Sequence, residues 1–151
     1  MPNTYSQLYI QIVFAVKGRQ HFINESIREE VQKYITGIIT NKHQKVLAIY
    51  SMPDHIHILV SIKPDCKISD LVRDIKSKSS TFIQEKLNKS SFRWQEGFGA
   101  FSYAKSQIDN VVNYILNQDN HHKQKSFKEE YVDFLNKYDV EYKDEYLFEF
   151  Y

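Results

Sequence analysis

Pro53-Asp54-His55-Ile56-His57-Ile58-Leu59-Val60 is the stretch on which the reading of this chain turns. Alternate side chains of a strand share a face. Ile56, Ile58, Val60 and Ile62 therefore make one face wholly apolar, and His55, His57, Leu59 and Ser61 make the other. The apolar face is expected to pack on helices and the histidine face to look toward a site. Outward from this strand, Pro53-Asp54 supplies turn chemistry. Residues 45–52 form a strand that pairs with residues 55–62 as a hairpin.

The flanking segments complete the architecture. Residues 5–16 alternate, with Leu8, Ile10, Ile12, Phe14 and Val16 on one face and Tyr9, Gln11, Val13 and Ala15 on the other. Both faces are largely apolar, as in a central strand. Residues 25–42 carry a helical stripe of Ile27, Val31, Tyr34, Ile35 and Ile38, with Ser26 and Glu29 as a capping box. Residues 69–87 repeat the helical period through Leu71, Ile75, Phe82, Ile83 and Leu87, with Ser69 as N-cap. Residues 99–105 read as a fourth strand. Residues 107–118 read as one helix capped by Ser106, with Asp109 in its first turn. The order β-α-β-β-α-β-α is an α+β fold: a ferredoxin-like βαββαβ antiparallel sheet with an added C-terminal helix.

With 151 residues, 42% hydrophobic, the chain is read as one domain with a real core. Its single cysteine, Cys66, excludes an internal disulfide and fits a reducing cytoplasm. No signal-peptide pattern and no apolar run of membrane-spanning length is found. The net charge of +1 conceals an asymmetry. Lysines and arginines outnumber acids in residues 1–126, and acids dominate residues 127–151. A basic body is compatible with a polyanion partner and equally with ordinary surface charge. The tail is rich in aromatics, so it is expected to form a short helix at 127–136 and then an extended segment docked on the domain of residues 1–126.

The candidate chemistry joins two segments. His55 and His57 stand on one strand face, roughly 7 Å apart at their bases by the strand rise. Tyr114 and Gln118 are four residues apart on a helix and share a face. His55, His57 and the Gln118 amide oxygen would give a metal three ligands with open positions, the catalytic pattern. A mixed imidazole and oxygen set favours Mg²⁺ or Mn²⁺ over zinc. Near such a cation, Tyr114 could attack a phosphodiester, form a covalent phosphotyrosine and release a sugar hydroxyl. Bond energy is retained in that link, so strands can be rejoined without ATP. Each residue taken singly has a plainer explanation: Tyr114 as packing, Gln118 as a solvated polar group, His121 and His122 as solvent-facing or phosphate-facing. Together they favour the functional reading.

These residues resemble the single-tyrosine HUH transposases, small enzymes of bacterial insertion sequences and of relatives associated with repeated palindromes. His55-Ile56-His57 is the His-hydrophobic-His element, and Tyr114 with Gln118 matches the nucleophilic tyrosine and metal-binding glutamine. The phrases Ser51-Met52-Pro53-Asp54, Trp94-Gln95-Glu96-Gly97-Phe98-Gly99-Ala100-Phe101 and Tyr114-Ile115-Leu116-Asn117-Gln118 are also similar to that family. The resemblance covers about residues 5–126. It implies a bacterial, cytoplasmic, nucleoid-associated enzyme that cuts single-stranded DNA marked by a hairpin. It further implies a 5′-phosphotyrosine intermediate and either a homodimer whose tyrosine helices act in trans, as in the insertion-sequence members, or a monomer, as in the palindrome-associated ones, with the dimer favoured. Lys17, Arg19, Arg73, Lys76, Lys78, Arg93 and Lys105 would contact phosphates, and Trp94 would stack on a base. Two rival readings are a metal-dependent phosphoesterase using water and a non-catalytic ferredoxin-like nucleic-acid-binding module.

Overall fold

A computed structural model describes residues 3–151. Four antiparallel strands form one sheet: β1 (Tyr9–Ala15), β2 (Lys45–Ser51), β3 (His55–Ser61) and β4 (Gly99–Tyr103). Their spatial order is β2-β3-β1-β4, with β1 paired to both β3 and β4. Helices α1 (Glu25–Asn41) and α2 (Ile68–Lys86) complete the ferredoxin-like plan. After β4 come α3 (Ile108–Leu116), α4 (Gln118–His121) and α5 (Phe127–Lys137). No helix among the described residues is long and apolar enough to cross a membrane.

Register explains the two layers. Ile12 pairs with Ile58, Phe14 with Ile56 and Ile10 with Val60, so one face is continuous hydrocarbon. It joins Val31, Ile35 and Ile39 of α1 and Leu71, Ile75 and Ile83 of α2 in the main core. Fully burying a side chain of this size is worth roughly 1.5–3 kcal/mol, which makes this layer the principal source of stability. On the other face Val13 opposes His57, Ala15 opposes His55 and Gln11 opposes Leu59. That face is covered too. Val111 and Ile115 of α3 pack with Leu59 and Ala48, while Phe127, Tyr131 and Leu135 of α5 join the cluster that holds Phe101.

Several local expectations are corrected. The first helix starts at Glu25 with Asn24 as its cap, whose Oδ1 accepts from the Ser26 amide at 3.1 Å. Asparagine caps as well as serine, so the Ser26–Glu29 pattern is displaced by a cap two residues upstream. Ser69 is not a cap, because α2 begins at Ile68 and the Lys67 carbonyl accepts from the Asp70 and Leu71 amides. Ser106 lies within a 3₁₀ turn, Lys105–Gln107, and the Gln107 Oε1 accepts from the Ala104 amide at 2.8 Å. The helix expected over 107–118 is interrupted at Asn117, which separates α3 from α4. The tail forms α5 over Phe127–Lys137 and then a strap with a 3₁₀ turn at Asp144–Tyr146. Gln95 clamps the strap: its Nε2 donates to Val16 O and Glu149 O, and its Oε1 accepts from the Glu149 amide.

Candidate active site

His55 and His57 are buried on the sheet face beneath the last three helices. Each is held through its Nδ1. His55 Nδ1 lies 2.7 Å from Asp54 Oδ1, and His57 Nδ1 lies 2.7 Å from Gln11 Oε1. Gln11 is fixed in turn by donating its Nε2 to Tyr103 Oη at 2.7 Å. Oxygens accept, so these contacts place the imidazole protons on Nδ1 and leave the Nε2 lone pairs pointing inward. Metal-binding histidines are oriented in this manner.

Both Nε2 atoms face the Glu130 carboxylate, supplied by α5. Glu130 Oε1 lies 3.1 Å from His57 Nε2, 3.5 Å from His55 Nε2 and 3.2 Å from His122 Nε2. His55, His57, His122 and Glu130 each offer one ligand atom, all within 4.8 Å of one another. His55 Nε2 is buried without a hydrogen-bond partner. Two imidazole lone pairs opposed to a carboxylate require a positive charge between them, either protons or a metal ion. The donor set therefore fits a divalent cation.

The electrostatics follow from the same geometry. Burial alone would raise the Glu130 carboxyl, but His57, His122 and His55 reverse this and hold it well below the usual carboxylate range. For Asp54, burial is likewise outweighed by the His55 contact, and the carboxyl is lowered. Burial would depress His55, yet Asp54 and Glu130 raise it. His57 is lowered because burial prevails over its attraction to Glu130.

Tyr114 of α3 stands beside this cluster on the same chain. Its hydroxyl donates to Glu130 Oε2, and its ring centroid is 6.2 Å from that of His57. Burial first, and the Glu130 carboxylate second, push the phenol above its ordinary value. His121 stacks on the Tyr114 ring with centroids 4.3 Å apart, and its buried Nε2 is unpartnered. A cavity of about 330 Å³ opens onto the hydroxyl, lined by Tyr114, His121, His122, Gln124, Lys125 and Glu130.

Gln118 is buried, and its Oε1 lies 3.0 Å from His122 Nε2. Its Nε2 faces the Tyr114 carbonyl at 3.4 Å. The amide is thus engaged with His122 and the α3 backbone. His122, expected to face solvent or phosphate, belongs to the cluster. Glu130 is the functional candidate that sequence reasoning missed. It falls on the buried stripe of α5 between Phe127 and Phe134, and a carboxylate on an apolar stripe is the signal that could have found it. Asp119, next to Gln118, ties α4 to the body: Tyr50 Oη donates to Asp119 at 2.5 Å and accepts from Arg28 at 2.7 Å.

The expected DNA-contacting residues divide. Lys17, Arg19 and Arg93 are exposed and close in the fold, the Lys17 amide donating to Arg93 O at 3.0 Å. Arg73, Lys76 and Arg93 line a cleft of about 550 Å³ between α2 and residues 92–98. Arg73 also pairs with Asp70 and Asp74. Lys78 is exposed on α2. Lys76 is half-buried, donates to Gln95 O and Gly97 O, and is lowered by burial to about 8. Lys105 follows Tyr103, which pairs with Tyr9, and so lies at the opposite end of β1 from Lys17. Trp94, expected to stack on a base, lines the same cleft, with its ring packed against Phe14 and Phe92 and its Nε1 donating to Ser79 Oγ at 2.9 Å.

Comparison with known proteins decides the family. The family described as "Transposase IS200 like" matches residues 4–118. The chain belongs to the IS200-like transposase family. The transposase for insertion sequence element IS200 of Salmonella typhimurium is 26% identical over 116 residues, covering 72% of this chain and 76% of the relative. The ISDra2 transposase TnpA of Deinococcus radiodurans is 27% identical over 74 residues, covering 49% and 53%. Among solved structures, a REP-associated tyrosine transposase bound to a REP hairpin aligns with TM-score 0.61 and 15% identity, over 80% of this chain and 72% of that one. Another, from Deinococcus radiodurans, aligns with TM-score 0.60 and 20% identity, over 77% and 94%. These two show a shared fold. This transposase is accordingly a DNA-cleaving enzyme. His122 and Glu130 lie beyond the stretch that the family matches.

Proposed function

We propose that this transposase cuts and rejoins single-stranded DNA at hairpin-marked ends through a 5′-phosphotyrosine intermediate on Tyr114. One observation carries the reading: the Tyr114 hydroxyl is held by Glu130 beside the inward-facing Nε2 atoms of His55 and His57. The hairpin-bound neighbour suggests the substrate class, and the exposed Lys17, Arg19 and Arg93 suit a phosphate backbone.

The scissile phosphate enters the cavity that opens onto Tyr114. Tyr114 Oη attacks phosphorus, a Tyr–O–P bond forms, and the bond from phosphorus to the 3′ oxygen breaks. In net terms the phenolic proton is the one the departing 3′ oxygen takes up to become a hydroxyl. Attack by a 3′-hydroxyl on the phosphotyrosine reverses these changes and joins strands. A divalent ion held by His55 and His57, when bound, supplies Lewis-acid polarisation of the phosphate. An imidazole-rich set suits Mn²⁺ better than Mg²⁺, which prefers oxygen ligands. All of these groups come from one chain, which supports chemistry in cis.

The test uses single-stranded hairpin DNA labelled at either end, incubated with Mn²⁺ and resolved on a denaturing gel. A protein–DNA adduct carrying the fragment 3′ of the cut, absent in Tyr114→Phe, is expected. Strand cleavage that survives Tyr114→Phe would instead mean a water nucleophile.

A further inference from the structure

We infer that Glu130 of α5 is the third metal ligand, so that the C-terminal segment completes the active centre with a two-histidine, one-carboxylate set. The inference rests on the metal-dependent function proposed above. In the resemblance drawn from sequence, the third ligand is the glutamine four residues after the tyrosine. The geometry here points elsewhere.

Four observations converge. Glu130 is 3% exposed, and burying a carboxylate so completely is costly unless it is paired with positive charge or coordinates a metal. Its Oε1 lies within 3.5 Å of the Nε2 atoms of both His55 and His57. The Nδ1 contacts to Asp54 and Gln11 turn those Nε2 lone pairs toward the carboxylate, and His55 Nε2 has no other partner. Gln118 Oε1 is engaged with His122 Nε2, which lies 3.2 Å from Glu130 Oε1. Gln118 therefore acts as a positioning residue through His122, whose Nε2 meets the same Glu130 oxygen that faces His55 and His57. Two imidazoles and one carboxylate would hold the ion and leave positions free for substrate oxygens.

The fold enforces the placement. The capping box at Ser126 and Glu129 fixes where α5 starts. Phe127 stacks on the His55 ring with centroids 3.9 Å apart, and Tyr131 seats against Gly99 of β4. Glu130 lies between those two anchors on the same helical stripe. The acidic, aromatic segment after residue 126 is thus part of the catalytic structure.

Mn²⁺ binding to the full chain, measured by calorimetry and by the electron paramagnetic resonance of free Mn²⁺, tests this without reference to activity. Glu130→Gln preserves volume and is expected to weaken Mn²⁺ binding by at least about tenfold, the lower end of what outer-sphere changes alone cost. Gln118→Ala is expected to weaken it less. Glu130→Asp keeps the carboxylate and should bind more tightly than Glu130→Gln, which separates ligation from a general loss of folding. Tyr114→Phe removes one hydrogen bond to the Glu130 carboxylate and should weaken binding less than Glu130→Gln does. Glu130→Gln binding within about twofold of wild type, or Gln118→Ala costing more than Glu130→Gln, would overturn the inference and leave the proposed function standing. A wild-type chain that binds no Mn²⁺ would remove both.

Discussion

Substituting Gly99 by alanine probes whether α5 lies where the active site requires it. Gly99 of β4 pairs with Val13 of β1, the residue that opposes His57 on its other side. A Cβ at Gly99 would sit 2.8 Å from Tyr131 Oη, 2.9 Å from Tyr131 Cε1 and 3.1 Å from Phe101 Cε2. The Gly99 backbone is not in the left-handed region, so the entire penalty is steric. Overpacking of this kind costs roughly 1–3 kcal/mol. Replacing a mid-strand glycine by alanine returns roughly 0.5–1 kcal/mol through chain entropy. The net expectation is a loss of about 1 kcal/mol. In a Tyr131→Leu background the two closest clashing atoms are gone and only the 3.1 Å approach of Phe101 Cε2 remains, so Gly99→Ala should become close to neutral or stabilising. Urea denaturation of the four proteins gives the coupling, expected at about 1–2 kcal/mol, within the roughly 0.5–3 kcal/mol seen for residues in direct contact. Because Glu130 adjoins Tyr131, Gly99→Ala should also weaken Mn²⁺ binding, and Tyr131→Leu should restore part of it. Equal effects of Gly99→Ala in both backgrounds would refute the placement of α5.

Three further expectations follow from other contacts. Trp94→Phe removes the hydrogen bond to Ser79 and should cost about 0.5–1.5 kcal/mol of stability while leaving DNA affinity within about twofold; a selective loss of DNA affinity in a fully stable variant would restore Trp94 as a base platform. Tyr50→Phe removes the hydroxyl that links Arg28 and Asp119 and leaves only their direct pair at 3.8 Å, so backbone amide exchange in α4 should accelerate with α1 unchanged, and identical protection would show that the Tyr50 hydroxyl does not hold α4. In the metal-free protein, the Asp54 and Glu130 carboxyls lie below their ordinary values of 3.8 and 4.5. Their stabilisation is present above those values and lost as pH falls through the lower folded ones, because the unfolded chain then binds more protons. Glu130→Gln should therefore flatten the acid side of the stability profile, and superimposable profiles would contradict the ion-paired carboxylate.

The alternation of β3 made the sheet legible, because strand register is set by which face is buried. The same alternation separated His55 and His57 from Ile56 and Ile58, and the structure keeps that separation. Tyr114 was legible as a member of a group, and it meets the histidine face. Less legible were features that depend on distance in space. Gln11 and Asp54 orient the histidines, but in sequence they are a polar residue in a strand and an acid in a turn. Glu130 is 73 residues from His57, in a segment whose net acidity drew attention away from one carboxylate on its apolar stripe. Trp94 stood among basic residues that suggested a DNA surface, and only its spatial neighbours show that Ser79 satisfies its indole nitrogen. Asn117 carries no strong helix-breaking signal, so the interruption between α3 and α4 was invisible.

The central claim is that Tyr114 becomes covalently joined to DNA. The most direct measurement is trypsin digestion of the protein after incubation with hairpin DNA and Mn²⁺, nuclease trimming and mass spectrometry. The account predicts a nucleotide phosphate on the peptide Ser106–Lys123, whose one tyrosine is Tyr114. A nucleotide on any other peptide, or cleaved DNA with every peptide unmodified, would contradict it.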